Sequence, residues 1–227
     1  MTGPGAEGPG GATPARPEPV VFLHGMGETP QAWQEQVVAL PEGHPALAPW
    51  LYGTRPGRDV DFDLESAAAA VVTELDRIGA RRARLCGLSL GGTVALQVAI
   101  SYPERVSRLV VCAAQVAPPK AVLAAQRAIF KLYPRKKLAA QGLDKDRLLA
   151  VMKAFGELDI SADLTKVQVP TKVLIGANDK PNRPAAELIA QRITGAELIE
   201  VSGAGHTAHT DNPAAFNDLV IDFLTAE

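Results

Sequence analysis

Three residues of this chain have the types, and stand in the order, needed to turn an alcohol into a nucleophile. Ser89 sits in Gly87-Leu88-Ser89-Leu90-Gly91-Gly92, Asp179 follows Gly176-Ala177-Asn178, and His206 closes Ser202-Gly203-Ala204-Gly205-His206. A serine hydroxyl is a poor nucleophile at neutral pH. It needs a base to take its proton, and that base needs an acid to orient its ring and to stabilise the imidazolium. Asn178 carries no charge for the last task, which makes Asp179 the candidate acid, although a helix cap or a turn is its plainer use. His209, in Thr207-Ala208-His209-Thr210, competes with His206 but reads as a surface or turn residue.

The elements around these residues explain their spacing. Ala83 to Cys86 reads as a short buried strand, and Leu90 to Tyr102 carries apolar residues at helical spacing, so Ser89 falls at the strand-to-helix junction. Such a turn forces the serine backbone into an unfavourable conformation, and any side chain at Gly87 or Gly91 would collide with the neighbouring strand or helix. The tetrahedral intermediate of an acyl transfer needs backbone donors for its oxyanion. The Leu90 N–H, next to the nucleophile at a helix start, is the first candidate.

Further strands are expected at Val20 to Leu23, Ala46 to Ala48, Arg108 to Cys112, Thr171 to Ile175 and Ala196 to Val201. Helices are expected from Pro30 to about Val38, from Leu64 to Ile78 and from Pro213 to Leu224. Six strands alternating with helices predict an α/β fold with a doubly wound, mainly parallel sheet. Sites in such sheets form beyond the carboxyl ends of the strands, where Ser89, Asp179 and His206 all lie.

Composition narrows the classes of function. With 227 residues, 47% of them hydrophobic, the chain can bury the core of one α/β domain over residues 20–227. Residues 1–19, dominated by Gly, Pro, Ala and Thr, read as a disordered tail without the apolar stretch of a signal peptide. A net charge of −2 leaves no footprint for nucleic acid, and no apolar run approaches a membrane span. Cys86 and Cys112 fall in expected buried strands and read as reduced small hydrophobes, from which a cytoplasmic location is expected. The four His and two Cys are too scattered for a metal cluster, and no cofactor motif is present.

Over about Val20 to Leu224 the chain resembles the α/β-hydrolase superfamily, specifically its esterase- and lipase-like members with a small helical cap. The resemblance rests on His24-Gly25 after the first strand, the Gly87 to Gly92 turn, the Ser, Asp, His order, and Gly205-His206 followed by Asn212-Pro213 and a terminal helix. It implies Ser89, Asp179 and His206 as a catalytic triad, favours His206 over His209, and assigns the second oxyanion donor to the Met26 N–H. His24 would anchor that loop, and Trp33 reads as core. The superfamily has two further strands ahead of the one ending in His-Gly, so here the sheet is expected to be trimmed at its N-terminus.

The implied activity is hydrolysis of a carboxylic ester, lactone or thioester through an acyl-enzyme on Ser89. A lyase or biosynthetic cyclase using the same residues, or a ligand-binding member without turnover, are the alternatives. The implied cap, residues 114–170, carries a helix at Asp144 to Phe155, and Phe130, Met152 and Phe155 are candidate substrate contacts, with Val122, Ile129 and Tyr133 lining a further face. The cap holds ten basic residues against five acidic ones, a charge of +5, which leaves −7 elsewhere. That polarity reads either as a solvated face or as a field steering an anionic small-molecule acyl substrate, such as one carried on coenzyme A or a carrier protein.

Overall fold

The structure, a computed structural model, describes residues 17–226, so most of the expected N-terminal tail lies outside the described residues. The six strands are β1 (Val20–Leu23), β2 (Ala46–Leu47), β3 (Ala83–Leu88), β4 (Val106–Cys112), β5 (Thr171–Gly176) and β6 (Glu197–Val201). They form one sheet in the order β2-β1-β3-β4-β5-β6, and every pairing is parallel. The expected fold class is the observed one.

The continuous apolar runs have their reason in this sheet. All residues of β1 and β3 are buried, as befits strands covered by helices on both faces. Strand β3 runs on to Leu88, two residues past the expected end at Cys86. Gly87 looks like a strand breaker in sequence, but it pairs in register with both Leu23 and Val111.

Helices α1 (Gln34–Ala39) and α2 (Leu64–Arg77) precede β3, and α3 (Leu90–Ser101) follows it. Helix α2 buries Leu64, Ala67, Ala68, Val71 and Leu75, and its first turn is capped by Asp63, whose carboxylate accepts from the Ser66 N–H at 2.8 Å. Helix α3 buries nine of its twelve residues, which is possible because Gly91, Gly92, Ala95 and Ala99 let it approach the sheet. Its near-uniform apolarity marks a helix enclosed on most of its sides.

Between β4 and β5 the chain leaves the sheet to form α4 (Lys120–Leu132), α5 (Arg135–Ala139) and α6 (Lys145–Phe155). Leu138, Leu148 and Met152 make a small core of their own, against which Phe130, Leu143, Leu149 and Met26 pack. Met26 belongs to the loop after β1, so this helical insertion rests directly on that loop. The remaining helices are α7 (Arg183–Arg192), α8 (Ala208–Asp211) and α9 (Pro213–Thr225), the last capped by Asn212. Helix α7 had no strong periodic signal, since it buries only Ala186 and Ile189. No described helix is long and apolar enough to cross a membrane.

Candidate active site

Ser89 stands between β3 and α3 with φ 51° and ψ −116°. A positive φ at a residue bearing a side chain costs about 1–3 kcal/mol and persists only where the surroundings impose it. Here the Ser89 N–H donates to Cys112 O at 2.8 Å and the Thr93 N–H donates to Ser89 O at 3.0 Å, so the turn is tied to β4 on one side and to α3 on the other. A side chain at residue 87 would strike the backbone of Gly91, and one at residue 91 would strike the carbonyl oxygen of Leu23. The two glycines are therefore required by contact, as the sequence predicted.

Asp179 and His206 meet at the ends of β5 and β6. The Asp179 N–H donates to Gly176 O at 2.9 Å, and the Asn178 N–H donates to Ala204 O at 2.9 Å, which draws the two loops together. His206 Nδ1 then lies 2.9 Å from Asp179 Oδ2. Asp179 is almost wholly buried, whereas the His206 ring is 44% exposed. An Nδ1–H donating to the buried carboxylate fixes the tautomer and leaves Nε2 as the basic nitrogen. Among the described residues no hydrogen bond joins the Ser89 hydroxyl to that ring.

Two residues that the sequence did not mark complete the arrangement. Asn182 Nδ2 donates to both carboxylate oxygens of Asp179, at 2.8 and 2.9 Å, and Asn182 Oδ1 accepts from Gln115 Nε2 at 2.7 Å. The Gln115 backbone carbonyl accepts in turn from Thr93 Oγ1 at 2.7 Å, so one chain of bonds runs from the serine turn to the acid. The only sequence signal was an amide three residues after Asp179.

The Met26 and Leu90 N–H groups, named from the sequence as oxyanion donors, are open groups. Among the described residues neither the Met26 N–H nor the Leu90 N–H has a hydrogen-bond acceptor. His24, buried beneath the loop, accepts from the Leu51 N–H at Nε2 (3.2 Å) and turns Nδ1 toward Gly25 O (2.9 Å). Accepting at Nε2 requires the neutral ring, and desolvation lowers its pKa to about 4 despite the Gly25 hydrogen bond. It is an anchor, as expected.

His209 departs from expectation. It is fully buried, with its ring 4.2 Å from that of Trp33 and 6.2 Å from that of Phe216, and neither ring nitrogen has a hydrogen-bond partner. Burial lowers its pKa to about 4, with the charge of Asp211 opposing. The polar neighbours Thr207 and Thr210 suggested a surface turn. The short helix α8 instead turns residue 209 inward against the core tryptophan.

Of the expected substrate contacts, Met152 and Phe155 are buried in packing, Phe155 in the main core, and Phe130 is half-buried against the insertion's own cluster. Val122 and Ile129 face solvent, being 53% and 68% exposed. A small cavity of about 20 Å³ lies between Met26, Gly27 and Glu28 on one side and Leu143, Leu148 and Val151 on the other. A wider cleft of about 430 Å³ between residues 57–61 and the start of α6 touches none of Ser89, Asp179 and His206. Arg147, on α6, closes the junction by donating to the carbonyl oxygens of Gly53, at 3.2 Å, and Val60. Among the described residues no cluster of His, Cys, Asp or Glu could hold a metal ion.

The sequence profile of the alpha/beta hydrolase family matches residues 20–219. The chain belongs to that family. Among its hydrolase relatives, a protein of Pseudomonas savastanoi pv. phaseolicola named carbamate hydrolase RutD is 27% identical over 92% of this chain and 94% of its own length. The 3-oxoadipate enol-lactonase 2 of Acinetobacter baylyi is 24% identical, over 88% of this chain and 86% of its own. The crystal structure of a hydrolase from Pseudomonas aeruginosa PA01 superimposes with a TM-score of 0.80 at 26% identity, covering 92% of this chain and 91% of that one.

Proposed function

We propose that this hydrolase cleaves carboxylic esters or lactones through an acyl-enzyme on Ser89. The observation that carries the reading is the Asp179–His206 pair at 2.9 Å, set at the same carboxyl-terminal end of the strands as a serine held at positive φ. Attack by Ser89 Oγ on the substrate carbonyl carbon passes its proton to His206 Nε2, and Asp179 stabilises the imidazolium that results. The oxyanion takes the free N–H groups of Met26 and Leu90. His206 then protonates the leaving alcohol, and a water activated by the same ring releases the acid. In a lactone the alcohol remains attached and the product is one hydroxy acid. The relatives named for a lactone and for a carbamate support a carbonyl flanked by a heteroatom as the group attacked.

The decisive experiment is a panel of p-nitrophenyl esters of rising chain length, lactones and acyl thioesters, run for the parent protein and for Ser89→Ala. Turnover by the parent with a loss of three or more orders of magnitude in the variant is expected. Undiminished turnover in Ser89→Ala, or a parent inert toward every acyl donor, would overturn the proposal, the second result favouring a lyase or a binding role.

A further inference from the structure

Glu28 has no part in the triad, yet it is the carboxyl group placed against the oxyanion loop. Its backbone N–H donates to Gly25 O at 3.2 Å, and its side-chain Oε2 accepts from the Gly25 N–H at 2.8 Å. The two bonds close a ring around Met26 and Gly27. The open Met26 N–H is thereby held between two fixed ends. The other carboxyl oxygen, Oε1, lies 3.9 Å from Nε2 of the buried and otherwise unpartnered His209.

We infer that Glu28 is a positioning residue for the oxyanion site, holding the Gly25–Glu28 turn so that the Met26 N–H points to where negative charge develops. This rests on the serine-hydrolase reading above. Three observations single out the side chain rather than the turn alone. A backbone turn needs only the Glu28 N–H bond, so the second bond adds a constraint the turn itself does not require. The carboxyl is packed so closely that a Cβ at residue 25 would come within 2.9 Å of Oε2. Burial has also pushed the acid's pKa up, with the Gly25 N–H and the charge of His206 acting against it. A partly buried acid, its side chain 19% exposed, is kept where an exposed polar residue would suffice for a turn. With Oε2 engaged, Oε1 faces His209, and that ring backs the carboxyl from the Trp33 side.

The test uses the full chain and the rate at which a fluorophosphonate probe phosphonylates Ser89, a reaction whose product puts an oxygen into the oxyanion site. It is read beside kcat and KM for p-nitrophenyl acetate. Glu28→Gln keeps an acceptor for the Gly25 N–H and is expected to stay within about threefold of the parent in both rates. Glu28→Met keeps the length and removes the acceptor, and is expected to lose about tenfold or more in labelling rate and kcat with KM nearly unchanged, since a displaced donor acts on the transition state. Glu28→Asp, too short to reach Gly25, is expected to behave like Met and serves if the Met variant does not fold. A Met or Asp variant that labels at the parental rate overturns the inference, as does a Gln variant that falls as far as Met. Failure of the parent to label, or labelling of Ser89→Ala, would instead overturn the nucleophile assignment, and with it the premise.

Discussion

Helix α3 buries nine of its twelve residues, while α4, of almost the same length, buries none. Both are rich in Ala, Leu and Val, yet one is enclosed by the sheet and its neighbours and the other touches the molecule along a single stripe through Leu123 and Phe130. The outward face of α4 leaves Val122, Ile129 and Leu132 in solvent, Leu132 at 87% exposure. The difference teaches where this molecule keeps its precision. Ser89 is held by bonds to β4 and α3, and Asp179 by Gly176, Asn182 and His206. The insertion reaches the main core through Val151, Phe155, Ile160 and Leu164 and adds a small cluster of its own, and α4 is its loosely held part. The candidate site sits on the tightly packed part, and α4 lies on the loosely packed one.

The sharpest way to test that division is Asp179→Asn, which alters one atom in the enclosed region. With an amide in place of the carboxylate, the His206 tautomer is no longer fixed, and kcat for any ester the parent turns over should fall by roughly 10³–10⁴-fold while KM moves little. A fall below tenfold would show that the buried acid does not orient the ring.

Truncations compare the two regions directly. Leu96→Ala, at a fully buried position of α3, should lower unfolding stability by about 3 kcal/mol, whereas Ile129→Ala, 68% exposed on α4, should cost under about 0.5 kcal/mol by chemical denaturation. Comparable losses at both sites would mean that α4 is covered in solution.

Histidine protonation should act outside the insertion, because residues 114–170 contain no histidine. Burial holds His24 and His209 neutral, with pKa about 4 against 6.5 for the free side chain. The unfolded chain takes up these protons as the pH falls below 6.5, and the folded chain does not until about 4. Stability is therefore intact above 6.5 and is lost between those limits, by about 2 kcal/mol per ring at pH 5. His209→Phe keeps a ring against Trp33 and cannot titrate, so its thermal midpoint should decline less steeply between pH 6.5 and 5. An unchanged slope would remove His209 as a contributor.

Much of this was legible because it is local. Continuous apolar runs marked the strands, glycines two residues either side of Ser89 marked the turn, and chain order singled out Asp179 and His206, which the fold brings to 2.9 Å. What stayed hidden depends on which distant residues meet. Asn182 and Gln115 act only because β4 and β5 are neighbours, and Glu28 matters only because its side chain folds back onto Gly25. His209 was misread because polar neighbours say nothing of which way a one-turn helix faces. The charge of the insertion was legible as a total but not in its use. Arg135 pairs with Asp146 at 2.7 Å, Lys145 donates to the carbonyls of Lys131 and Tyr133, and Lys166 pairs with Asp163, so several of its cations serve the insertion's own structure.

The bonds from Arg147 to the carbonyls of Gly53 and Val60 have an architectural consequence. One guanidinium couples α6 to a stretch of chain nearly ninety residues earlier, which itself follows Leu51, the residue whose N–H is clasped by His24. Any displacement of α6 therefore acts on this strap and, through Leu51, on the His24 ring beneath the loop after β1. Two parts of the chain that share no strand pairing are in this way tied into one mechanical unit.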